Sequence, residues 1–127
     1  MMNYQQVLDF WFDAEHKEFW FAKSDDFDLE IEEKFCHTVQ QAIQCELWTW
    51  RETAEGRLAE IIVLDQFSRN LFRDHPAAFA QDPLALSLAQ EAIRLGLDLS
   101  LSPEQRSFMY MPFMHSESKI IHQQALS

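Results

Sequence analysis

Apolar residues recur at helical spacing along most of the chain. In NYQQVLDFWF, Tyr4, Val7, Leu8 and Trp11 fall at i, i+3, i+4 and i+7, which predicts an opening amphipathic helix. DAEHKEFWFAKS breaks that pattern and reads as an irregular, aromatic-rich connection. A second helix is predicted from Asp25, where acidic residues crowd the first turns and suit the positive end of the helix dipole. Phe27, Ile31, Phe35 and Val39 or Thr38 continue down one of its faces. TAEGRLAEIIVLDQF predicts a third helix with Thr53 as N-cap, although Gly56 in its first turn lowers the propensity. In DPLALSLAQEAIRLG, Asp82 is expected to cap, Pro83 to hold the first helical position and Gly96 to end the helix. Leu84, Leu88, Ala92 and Leu95 line its expected buried face. SPEQRSFMYM repeats the start signal with Ser102 and Pro103, and Pro112 is expected to interrupt that helix. HSESKIIHQQALS reads as the start of one more.

Helices with short joins and no convincing strand predict an all-α chain, and short joins favour antiparallel neighbours. The 127 residues make one domain. Two Gly and four Pro are too few for low-complexity linkers or for the many turns of an all-β design. No repeat of fixed period is visible.

A formal charge of −11 disfavours nucleic acid, whose phosphates are held by clustered Lys and Arg, and equally an anionic membrane surface. Solubility is the plain meaning of that charge. The N-terminus has no basic segment followed by an unbroken apolar one, and no apolar run approaches the ~18 residues of a membrane span. A soluble, cytoplasmic protein is expected. Cys36 and Cys45 form no C-x-x-C and have no His at zinc-site spacing, so they are expected as buried thiols in a reducing compartment. Trp11, Trp20, Trp48 and Trp50 are expected as core and helix-contact residues.

The chemistry concentrates in LDQFSRNLFRDH. At 100° per residue, Leu58, Ile61, Ile62, Asp65 and Arg69 share an arc of roughly 100°. Asp65 and Arg69 are four apart and can face each other. Val63, Leu64 and Phe67 fill the remaining sides, so this helix is expected to be central, with a carboxylate and a guanidinium on a buried stripe. Burying a charge is costly unless it is paired and hydrogen-bonded. One reading is an internal ion pair, with Gln66 and Asn70 satisfying backbone groups where the helix ends. The other is a polar pocket in which Arg69 and Arg73 hold an anionic ligand. In MPFMHSES, His115 and Glu117 follow the expected proline break, and Ser116 and Ser118 stand near a helix start, where free N–H groups can receive an anion. H-S-E lacks the i, i+4 spacing of a helical metal pair, so no metal is expected, nor any cofactor. His75, beside Asp74 and Pro76, reads as a turn residue. No Gly-rich phosphate loop, nucleophile elbow or H-E-x-x-H occurs.

LAEIIVLDQFSRNLFR, AFAQDPLALSLAQEAIRLGLD and FMYMPFMHSES, in that order, together with VLDFWF near the start, resemble the bacterial family of unknown function called DUF924. The resemblance covers nearly the whole chain, residues 1–127 being read as one helical domain. It implies a tetratricopeptide-like array of antiparallel helical hairpins, an α-α superhelix. It also implies further helices and a second polar stretch, of the type R-H-x-x-I-x-x-F-G-R-F-P-x-R-N, beyond Ser127. The chain is therefore expected to be truncated at its C-terminus relative to the family, with apolar surface left open to self-association.

Two functional readings follow. In the first, a small anionic ligand binds among Asp65, Gln66, Arg69, Asn70, Arg73, His115 and Glu117, and any catalysis would use His115 as acid or base with Glu117 orienting it. In the second, the chain is a tetratricopeptide-like scaffold for a peptide or protein, without catalysis. The first requires His115 and Glu117 close to Arg69 in a concave site.

Overall fold

The computed structural model describes residues 2–126. Among them there is no strand, and the chain is all-α. α1 (Tyr4–Trp11) starts at a capping box, in which Asn3 Oδ1 accepts from the Gln6 N–H and Gln6 Oε1 accepts from the Asn3 N–H. α2 (Asp25–Ile43) is capped by Ser24 Oγ, carries Asp25, Asp26 and Asp28 in its first turn, and buries Phe27, Ile31, Phe35, Thr38 and Val39 as their spacing predicts.

α3 (Ala54–Ile62) is capped by Thr53 Oγ1 on the Gly56 N–H. Gly56 is required there. A Cβ at this position would lie 2.0 Å from the Trp50 carbonyl oxygen, so the close approach of the preceding turn admits no side chain. α3 passes into a π-helical turn (Val63–Phe67) and resumes as α4 (Ser68–Leu71), with right-handed backbone at both junctions. Every residue from 58 to 68 is buried, so this continuous rod is the core of the molecule, apolar nearly all round as expected. α1 packs on α3, α2 on the π turn and α4, and both α5 (Asp82–Arg94) and α6 (Pro103–His115) on α3. α7 (Lys119–Leu126) packs on α6.

Five local expectations are corrected. The residue before α5 is Gln81, and Asp82 occupies its first turn without capping it, because its carboxylate is turned to Arg69. The buried face of α5 is Ala85, Ala89 and Ala92, with Leu84 and Leu88 only half-buried and Leu95 exposed. Small side chains let α5 approach the rod closely, and the leucines flank the contact. Pro112 does not interrupt α6, which runs through it to His115. The proline removes one backbone donor, but its ring is buried on the same helix as Phe108, Met109 and Phe113. The break falls at Ser116, where the backbone turns extended. Cys36 and Cys45 are exposed rather than buried, one on the outer face of α2 and the other in the turn after it, where φ is 62°. Trp11 and Trp50 are core residues and Trp20 is half-buried, but Trp48 is 63% exposed. Among the described residues no helix is long and apolar enough to cross a membrane.

Candidate functional site

The π turn carries Asp65, whose side chain is fully buried. Its Oδ1 accepts from His115 Nδ1 at 2.7 Å and from Arg69 Nη1 at 3.0 Å. Its Oδ2 accepts from Gln66 Nε2 at 2.8 Å. Three donors on one carboxylate replace the water it has lost. The wider π turn also leaves carbonyl oxygens for side chains. Arg69 Nη1 donates to the Asp65 carbonyl at 2.8 Å, and Ser68 Oγ donates to that of Val63 at 3.5 Å.

Arg69 continues outward to Asp82 at the start of α5. Nη1 and Nη2 each donate to one carboxylate oxygen, both at 2.9 Å, and the guanidinium lies 5.2 Å from the centre of the Phe79 ring. One guanidinium therefore joins two carboxylates on different helices. His115 comes from the last turn of α6, and its Nδ1 lies against a carboxylate oxygen of Asp65. A carboxylate oxygen can only accept from Nδ1–H, and in the neutral ring that tautomer leaves Nε2 as an acceptor. Nε2 makes no hydrogen bond among the described residues.

These groups wall a cleft of about 720 Å³ between the start of α5 and the turn after α6. Arg69, Asp82, His115, Ser116, Glu117 and Ser118 supply its polar side. Phe79, Pro83, Leu86, Pro112 and Ile121 supply the apolar side. Ser116 Oγ accepts from the Ser118 N–H at 3.1 Å, and Ser118 Oγ accepts from that of Ile121 at 3.4 Å, so both hydroxyls shape the entry to α7. Glu117 is exposed and bonded to no described residue.

Of the seven residues singled out from the sequence, Arg69, His115 and Glu117 line the cleft, and Asp65 stands behind the first two. Gln66 props Asp65. Asn70 and Arg73 do not reach the cleft. They meet Asp28 of α2, with Asn70 Nδ2 at 2.8 Å and Arg73 Nε and Nη2 at 2.7 and 3.0 Å. Asn70 sits one residue, about 100°, round the helix from Arg69, and Arg73 lies beyond the helix end, where the wheel no longer applies. Burial pushes the Asp28 carboxyl up, but the hydrogen bonds from Arg73 and Asn70 outweigh it and hold Asp28 below the usual carboxylate range. The same hydrogen bond raises Arg73. The orienting partner of His115 is Asp65, not Glu117.

Two features escaped the sequence reading. Asp82 resembled a helix cap, and only its distant partner distinguishes the two roles. Glu60 is fully buried within LAEIIV and receives both Arg51 Nε and Nη2 at 2.8 Å. A carboxylate inside an apolar run was the available signal. That hydrogen bond raises the Arg51 guanidinium. Arg57 Nε donates to the Arg51 carbonyl at 2.8 Å, which fixes the loop against α3. His75 has the turn role expected of it, its Nδ1 accepting from the Ala77 N–H. Among the described residues no group of three or more His, Cys, Asp or Glu side chains is placed to hold a metal ion.

Fold and site together define an all-α protein with a central polar helix turn opening on an interhelical cleft. The family model described as a bacterial protein of unknown function, DUF924, matches residues 7–127, and the chain belongs to that family. It is similar to a solved protein of unknown function from Agrobacterium tumefaciens, at 40% identity and a TM-score of 0.90, over 96% of this chain and 69% of that one. No curated protein matches it.

Proposed function

We propose that the cleft binds a small ligand and that His115, oriented by Asp65, is the group that exchanges or shares a proton with it. One observation carries this reading. A single buried oxygen, Asp65 Oδ1, receives both His115 and Arg69, and both of those side chains wall the same 720 Å³ space. A carboxylate that fixes an imidazole by Nδ1 aims Nε2 as a base or hydrogen-bond acceptor, the pairing used in acid–base sites. Internal ion pairs also arise for purely structural reasons. A buried pair that served only the fold would not need a histidine with one nitrogen left over beside a cleft.

The ligand was expected to be anionic, held by Arg69 and Arg73. Neither arginine favours that, since Arg73 is committed to Asp28 and Arg69 to two carboxylates. A peptide scaffold is the second reading. The gathering of α1, α2, α5 and α6 on one central rod, rather than in series as hairpins, gives it less support. Two free, exposed thiols support a reducing cytoplasm as its place.

A ligand screen by thermal shift, followed by NMR of the histidine ring nitrogens, tests the proposal. Compounds that raise the melting temperature are expected to move the His115 Nε2 resonance. Their effect should shrink in His115→Ala. Hits that leave His115 unmoved and act equally on His115→Ala would refute the assignment.

A further inference from the structure

The charge around the cleft identifies the class of ligand, provided the cleft is a ligand site as proposed above. Three carboxylates bear on it, Asp65 from behind and Asp82 and Glu117 from the wall, against one guanidinium, Arg69. Three carboxylates against one guanidinium leave a formal excess of two negative charges, and of one with a protonated imidazole, so the excess is negative in either state. An entering anion would have to displace Asp82 from a bidentate pair whose two bonds are both 2.9 Å. It would also have to approach Glu117. A cation meets the opposite situation. Glu117 is bonded to no described residue, Asp82 keeps lone pairs beyond those given to Arg69, and Nε2 of His115 is an acceptor.

The rest of the wall is apolar. Leu86, Pro112 and Ile121 offer surface for a hydrocarbon body, as does the edge of Phe79, 60% exposed, whose ring already meets the Arg69 guanidinium. The formal charge of −11 over the whole chain raises the local concentration of cations in the same direction. We infer that the cleft takes a small organic cation, a primary ammonium or guanidinium group on a compact apolar body. The ammonium donates to Asp82, Glu117 and His115 Nε2 while the body packs between α5 and α7.

Three probes of one shape separate charge from shape: phenethylammonium, phenethyl alcohol and phenylacetate. Each is titrated into the full chain while the His115 ring resonances are followed. Phenethylammonium is expected to bind tightest, to weaken as salt screens the charges, and to move His115. Glu117→Gln, which removes no contact between helices, should weaken it by roughly two- to fivefold, the scale of an exposed ion pair. Asp82→Asn should narrow the preference for the ammonium over phenylacetate. If phenylacetate or phenethyl alcohol moves His115 at equal or lower concentration than the ammonium, the cation assignment is overturned and the cleft remains a ligand site. If none of the three moves His115, the cleft reading fails, and the cation assignment fails with it.

Discussion

Asp65 joins three helical segments through one carboxylate, and the cost of losing it can be bounded. Removing one partner of a buried pair typically costs about 3–5 kcal/mol. Arg69 keeps Asp82 when Asp65 is lost, so Asp65→Ala is expected near the lower end, about 3 kcal/mol, by urea denaturation. A loss under about 1 kcal/mol would mean that the network carries little weight. Asp65 and Asp82 hold the same guanidinium, so Asp65→Ala and Asp82→Ala should not add. A double-mutant cycle is expected to show a coupling of about 0.5–3 kcal/mol. At this scale the sequence was half legible. The pairing of Asp65 with Arg69 follows from i, i+4 spacing on an apolar stripe. The pairing of Arg73 with Asp28 does not, because the partners are 45 residues apart and no local rule connects them. Exposure of Cys36 likewise depended on which side of α2 faced the rod.

Helix starts were the most readable elements, since Thr53 and Ser102 each bond the backbone N–H three residues on, although Asp82 does not cap α5. Gly96, with φ of 75°, follows α5 as the sequence implies. What sequence could not reveal were the features decided by a neighbour. Gly56 looked like a weakness and is a packing requirement. Gly56→Ala is expected to destabilise the chain by at least about 1–3 kcal/mol, where a solvent-facing helical site would gain from alanine. Thermal melts showing equal or higher stability would mean that the Trp50 turn yields freely. The π turn left no mark in the hydrophobic period, because its residues are buried on every side and any phase looks apolar. Pro112 is tolerated within α6 for a related reason, as its ring is buried within the packed molecule.

The molecule as a whole should respond to acid through Asp28. Its folded carboxyl lies below the ordinary range, so its contribution is complete above about pH 4 and is lost as pH falls through the lowered value. Asp28→Asn should therefore destabilise at about pH 6, and the gap from the parent should narrow by about pH 3, as read from denaturation at each pH. A gap that stays constant would refute the linkage. At the alkaline end, the hydrogen bond that Tyr110 donates to Asp98 raises the phenol, and burial adds to the effect. That contribution is whole below about pH 10 and fades as pH rises beyond it.

The shared oxygen of Asp65 has a consequence for how occupancy of the cleft would be sensed. The imidazole proposed to meet a ligand is also the fastening between the end of α6 and the central rod. A donor arriving at Nε2 withdraws electron density from the ring, makes Nδ1–H a stronger donor and tightens its bond to Asp65. The two equilibria are then reciprocal. Whatever fills the cleft in this way makes the last turn of α6 open less often. Whatever loosens that turn weakens binding by the same factor. Slower amide hydrogen exchange in that turn would then serve as a gauge of occupancy, even for a ligand whose chemistry is silent.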